Sequence, residues 1–137
     1  MKNSEIVECT FYKINLFQRL GQLDKVKSTF VNEIDNFSKN PSIASHLAIR
    51  YSRFVHKVLK DEKEAKEILR KAITCYPSNC SLYLQLIDIA YQQKDVQVDE
   101  ILSYFDECIA AASKQSKTIM MRKKQEFMQD FGCSSKM

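Results

Sequence analysis

The stretch that decides the fold is AKEILRKAITCYP, residues 65–77. Its apolar residues recur every three or four positions, the spacing that places them on one face of an α-helix. Asp61 and Glu64 have the spacing of a capping box and predict where this helix begins. Pro77 predicts where it ends, because proline removes a backbone donor and clashes with the preceding turn. The stretch therefore predicts an amphipathic helix with defined ends.

The same pattern continues on both sides of this stretch. Apolar stripes with helical spacing run through residues 23–37, 44–59 and 98–112. Residues 82–91 are apolar nearly all round, which predicts a helix sandwiched between neighbours. The 137 residues include only two glycines and two prolines, too few for the many turns of an all-β fold. We predict an all-α protein of about seven helices, divided by Gly21, Pro41, Pro77 and Gly132, with Ser42, Ser78 and Asn79 as candidate caps.

A repeat is visible when the sequence is laid on itself. A shift of 39 residues places Leu20 on Leu59 and Phe30 on Leu69, and a shift of 36 residues places Leu69 on Phe105. A helix-turn-helix unit of this period is typical of an α-solenoid, in which each pair buries its stripe against the next. We predict one domain over residues 1–137, with helix pairs at 5–38, 42–76 and 79–112 and a terminal helix at 115–131. A plain helical bundle is the alternative interpretation.

The residues also resemble a known family. The stretch at 65–77 and the aromatic-bearing RYSRF at 50–54 resemble the two helices of a HAT (half-a-TPR) repeat. The succession LYLQL, ILSYFD and QEFMQDFG, beginning at Leu82, Ile101 and Gln125, resembles the C-terminal HAT repeats of splicing factors associated with the U1 small nuclear ribonucleoprotein (snRNP). Members of that family are several times longer, so the chain resembles a fragment or a truncated relative of a longer array.

This resemblance implies a TPR-like α-solenoid and a non-catalytic scaffold in nuclear pre-mRNA splicing. It implies protein partners of two kinds, namely a second copy or a paralogous HAT protein, and proteins of the U1 snRNP. In the family the terminal repeats are where two protomers join, so the resemblance also implies a dimer.

Nothing in the sequence points to an enzyme. His46 and His56 are ten residues apart and cannot chelate one metal from a single helix, and the five cysteines form neither a disulfide framework nor paired zinc knuckles. Two glycines cannot build a phosphate-binding loop. We expect no catalytic residue, cofactor, metal or small-molecule substrate. No apolar run approaches the roughly 18 residues of a membrane span, so we expect no membrane partner and a reducing compartment, cytosol or nucleus.

The last predicted helix holds the candidate functional residues. Its apolar residues and one lysine form a candidate interface for self-association: Met120, Met121, Lys124, Phe127, Met128 and Phe131. The alternative is that these residues fold back on the preceding helix and are core. A basic run on the same helix offers a candidate contact with RNA or an acidic partner: Lys117, Arg122 and Lys123. The net charge of +4 permits such a partner without indicating one, and we favour a solvated face for these residues.

Overall fold

The computed structural model describes residues 3–130, and within that range the chain forms seven α-helices and no strand. The helices are α1 Asn3–Arg19, α2 Leu23–Asn36, α3 Pro41–Lys57, α4 Glu62–Cys75, α5 Cys80–Tyr91, α6 Val98–Ala111 and α7 Lys114–Asp130. The connections are short, from two residues at 112–113 to six at 92–97. The all-α prediction is confirmed, while Phe131, Gly132 and Cys133 lie outside the described residues.

The described helices fall into two compact units, with the boundary inside α3 after Tyr51. In the first unit α1 packs against α2, and the ring of Tyr51 stacks on that of Phe30 with 5.1 Å between centroids. In the second unit α4 packs against α5, α5 against α6, and α6 against α7. Each helix therefore contacts its neighbour in the sequence, the arrangement of an α-solenoid built from repeats.

Two turns confirm the 39-residue repeat in the backbone itself. Gly21 follows α1 with φ of 73°, and the N–H groups of Gly21 and Gln22 donate to the carbonyls of Gln18 and Phe17 at 3.1 and 2.9 Å. This is the Schellman motif expected of a glycine just after a helix. Lys60, 39 residues later, also has a positive φ, of 58°. The chain thus turns in the same way after the first helix of both pairs, although only one turn carries the residue suited to it.

Burial follows the repeat through two turns of the second helices. The aligned positions Val26, Ala65 and Ile101 are fully buried, and so, nearly, are Phe30, Leu69 and Phe105. In the third turn the alignment departs from the structure. Ile73 is buried and Ala72 half-buried, whereas Cys108 is buried and Ile109 half-buried. The inward face of α6 is therefore offset by one residue there.

The helix ends agree with the sequence except at α3. Asp61 caps α4 by accepting from the Glu64 N–H at 3.0 Å, and Asn79 caps α5 by accepting from the Ser81 N–H at 3.0 Å. Ser42 was the wrong cap, since it lies inside α3. Asn40 accepts from the Ile43 N–H at 3.3 Å instead, because proline is tolerated at the first helical position and the cap must precede it.

Candidate interaction surface on the last helix

The last helix, α7, packs one side against α6. Met120 and Phe127 are 1% and 6% exposed, and seven residues apart they lie on the same side of the helix. The ring of Phe127 meets those of Phe105 and Tyr91 at centroid distances of 5.9 and 6.0 Å. These two members of the predicted interface belong to the core of their own chain.

Lys124 connects the same side of α7 to α6 by charge. Its Nζ lies 2.6 Å from Oδ1 of Asp106, and the Lys124 side chain is largely covered while Asp106 is largely exposed. A pair of this kind, open to solvent on one side, contributes at most about 1 kcal/mol to stability. Lys124 therefore aligns α7 on α6 rather than standing free for a partner.

The remaining apolar residues of α7 face away from α6. Met121 is 54% exposed and Met128, seven residues later, is half-buried, and we call these two residues the outer flank. Ile119, which the sequence did not single out, is 52% exposed. It stands about 200° from Met121 around the helix, at about 100° per residue, and so marks a separate side. Phe131 lies outside the described residues.

The basic residues of α7 do not converge on one side. Lys117, Arg122 and Lys123 are all exposed. At about 100° per residue they point in directions about 100–140° apart, so they surround the helix. A nucleic-acid groove needs several cations along one backbone path. Their exposure permits phosphate contacts, but their arrangement on this helix does not form a patch.

A charged cluster joins α4 to α6 beside the place where α7 packs. Lys66 pairs with Glu62 in its own helix at 3.3 Å and with Glu100 of α6 at 2.7 Å. The Tyr104 hydroxyl donates to Glu100 at 2.5 Å. Burial works against ionisation of Glu100, but the hydrogen bonds from Lys66 and Tyr104 outweigh it and hold the pKa of this carboxyl below its usual value. The same burial, with the Glu100 contact, raises the pKa of Tyr104.

Arg70 completes this cluster one turn further along α4. Its Nη1 is 2.5 Å and its Nη2 3.3 Å from the two carboxylate oxygens of Glu107, a bidentate arrangement. Its guanidinium also lies over the Tyr104 ring, 4.9 Å from the centroid. The hydrogen bond to Glu107 raises the pKa of Arg70 despite partial burial. Together these contacts fix α6, and α6 in turn carries α7.

The first unit has an uncovered apolar row of its own. Tyr12, Leu16 and Leu20 are spaced four apart and are 74%, 46% and 61% exposed. The opposite side of α1 is occupied, because Phe11 meets His46 edge-on at 5.7 Å and Arg50 lies 4.6 Å over its ring. The sequence showed an excess of apolar residues on this helix, and the structure leaves three of them uncovered in the first unit.

The titratable residues do not assemble a reaction centre in the part of the chain that is described. His46 is an exposed ring partner of Phe11, while burial lowers the pKa of half-buried His56. Within residues 3–130 no three side chains of the His, Cys, Asp or Glu type come together in a way that could hold a metal ion. Over the same range, no helix combines the length and apolar character needed to cross a bilayer.

Two features of this surface were missed from the sequence. Helical spacing alone separates Met120 from Met121 by about 100°, so their different environments were readable once the buried side was known. The pairing of Lys124 with Asp106 was not readable, because it depends on how α7 crosses α6. The sequence carried no signal for it.

Comparison with curated proteins places these observations among known relatives. Pre-mRNA-processing factor 39 of Xenopus laevis is 32% identical over 126 residues, which cover 88% of this chain and 19% of that protein. The proteins of the same name from Homo sapiens and Mus musculus are 27% and 28% identical over 122 residues, again 88% of this chain. No protein-family model matches the chain.

The resemblance seen in the sequence is thereby confirmed: the chain is a helical-repeat relative of pre-mRNA-processing factor 39. It spans about a fifth of the length of the curated relatives that it matches.

Proposed function

We propose that this chain is a non-catalytic scaffold in pre-mRNA splicing, acting in the nucleus with proteins of the U1 snRNP. The similarity to pre-mRNA-processing factor 39 over most of the chain is the observation that carries this proposal. The architecture supports it, because stacked helices offer extended surfaces for partners. The described side chains supply ion pairs and apolar rows, which are contacts for binding rather than groups that would move electrons or protons in a reaction.

The scaffold also joins two protomers through its terminal helix. The support is the outer flank of α7, where Met121 is exposed on a helix whose other side is already occupied by α6. Methionine is enriched at interface cores because its flexible, polarisable side chain adapts to a partner. The partner that fits is a second copy of this chain or a paralogous HAT protein. Met120, Lys124 and Phe127 would then support the interface from within their own chain.

The test compares two charge substitutions on the same helix. Met121→Glu places a carboxylate on the outer flank, and Ile119→Glu places one on the opposite exposed side of α7. Both residues are about half exposed, so both variants should fold and keep the helicity of the parent, measured by circular dichroism. Light scattering then reports the molar mass of each variant over a concentration series.

We expect Met121→Glu to remain a monomer where the parent and Ile119→Glu associate. If both variants associate as the parent does, the outer flank is not the interface. If Ile119→Glu alone is monomeric, the interface lies on the other side of α7 and this part of the proposal is wrong.

Direct binding of RNA is the second candidate function. The exposure of Lys117, Arg122 and Lys123 favours it, although their directions differ. Replacing all three by Gln should reduce the affinity for a single-stranded RNA oligonucleotide and flatten its salt dependence if phosphates are contacted. Binding through an apolar interface should change little with salt. An adaptor role in another RNA-processing complex would leave both results unchanged and would appear as capture of different proteins.

A further inference from the structure

Two thiols from neighbouring helices meet in the second unit. Cys80 is the first residue of α5, and Cys108 lies in the last turn of α6. Their Sγ atoms are 3.1 Å apart, although 28 residues separate them in the sequence. A disulfide bond is about 2.05 Å long, so an approach of roughly 1 Å would join them. Because α5 and α6 pack directly against each other, side-chain movement is enough for this approach.

The two thiols differ in the way that a reactive pair requires. Cys80 is half-buried and stands at the N-terminus of α5, where the helix dipole favours a thiolate. Cys108 is fully buried, and burial together with its contact to Cys80 raises the pKa of its thiol. An accessible thiol beside a protected one is the arrangement in which the first reacts with an oxidant and the second resolves the product.

We propose that Cys80 and Cys108 form a reversible disulfide when the protein meets a peroxide. The Cys80 thiolate attacks one oxygen of hydrogen peroxide, the O–O bond breaks, and Cys80 sulfenic acid forms as the departing hydroxide takes a proton to become water. The Cys108 sulfur then attacks the Cys80 sulfur. The S–S bond forms as the S–O bond breaks, and the Cys108 proton leaves with the hydroxide as a second water. Two thiols are oxidised by two electrons and one peroxide is reduced to two waters.

The crosslink would act on the stack of helices rather than on a distant site. It joins the start of α5 to the end of α6 and encloses the six-residue connection at 92–97. Closing a loop of this size restricts the unfolded chain, so the oxidised protein should be more stable than the reduced one. A disulfide of this kind in a reducing compartment is transient and reports oxidant. The site is therefore a candidate for redox modification of the scaffold, independent of the function proposed above.

The experiment treats the reduced 137-residue protein with hydrogen peroxide, blocks remaining thiols by alkylation and maps the peptides without reduction. Trypsin leaves Cys75 and Cys80 in one peptide, 72–94, because no Lys or Arg lies between them, and Cys108 falls in peptide 95–114. A variant with Cys9, Cys75 and Cys133 replaced by Ser removes this ambiguity and keeps only the proposed pair. Cys9 and Cys75 are exposed, so their replacement should leave the fold intact.

We expect the parent and this triple variant to yield peptide 72–94 linked to 95–114, with a loss of about 2 Da and no alkylated Cys108. The melting temperature of the oxidised triple variant should rise by about 5 °C or more and return on reduction. Adding Cys80→Ser to the triple variant should abolish the link and the shift. Oxidation of Cys80 to sulfinic acid without a link, or a parent crosslink that the triple variant lacks, would overturn the proposal.

Discussion

The helices α5 and α7 both carry apolar residues on more than one side, yet they occupy different environments. α5 packs between α4 and α6, and seven of its twelve residues are buried. α7 packs on α6, and among its described residues Met120 and Phe127 are the buried ones. The contrast shows that an excess of apolar residues has two outcomes: a middle helix buries them in its own chain, and a terminal helix leaves some available.

The difference also extends to the charges. α4 and α6 flank α5 and are tied together by Lys66, Arg70, Glu100 and Glu107. Lys124 and Asp106 supply the ion pair described between α6 and α7. We therefore expect the helices around α5 to resist perturbation as one body, and α7 to be the helix that separates from the stack most easily.

The largest expected effect comes from emptying the positions on either side of α5. Leu69→Ala and Phe105→Ala should each destabilise the protein by roughly 2–5 kcal/mol, because both side chains are buried and leave cavities. Denaturant unfolding followed by circular dichroism measures the change. Melting curves of both variants that overlay the parent curve would show that the repeat register is wrong.

A smaller effect should separate the two sides of α7. Phe127→Ala should cost about 2 kcal/mol, less than a fully enclosed phenylalanine, because its ring is packed from the α6 side. Met121→Ala should change the free energy of unfolding of the monomer by less than about 0.5 kcal/mol, since Met121 is exposed. Equal losses in urea titrations at low protein concentration would erase the distinction between the buried side and the outer flank.

The charged cluster beside α5 predicts a pH dependence. The pKa of Glu100 is lowered in the folded state, so its contribution to stability is complete above its ordinary value of 4.5 and is lost as the pH falls through the lowered value. Glu100→Gln should therefore cost about 1 kcal/mol at pH 7 and progressively less below pH 4. Urea unfolding of parent and variant at several pH values gives the difference. A gap that is constant from pH 7 to pH 3 would contradict the ion pair with Lys66.

The smallest effect tests the two equivalent turns that set the repeat. Lys60 has a positive φ that suits glycine, so Lys60→Gly should stabilise by about 0.5 kcal/mol after the entropy cost of glycine. Gly21→Ala should destabilise by about 1 kcal/mol because its φ of 73° strains any side chain, even though the space there is open. Opposite signs in thermal melts are expected. Destabilisation by Lys60→Gly would show that the two turns are not equivalent.

Most of the fold was predictable because helix formation depends on local spacing and on end signals. Gly21 and Asp61 marked real helix ends, and the period of 39 residues reappeared in the φ of Lys60. The cap at Ser42 was wrong, because Asn40 competes for the same role one residue before Pro41. The candidate site was predictable only in outline. Which methionine of α7 faces α6, and which cysteines meet, depends on how helices cross, and the local sequence does not encode it.

The most direct test of the account is the molar mass of the parent protein by light scattering across micromolar concentrations. The proposed interface on the outer flank predicts a mass that rises from 16.0 kDa toward twice that value, with little change on adding salt. A mass that stays at 16.0 kDa into the high micromolar range would contradict self-association through α7.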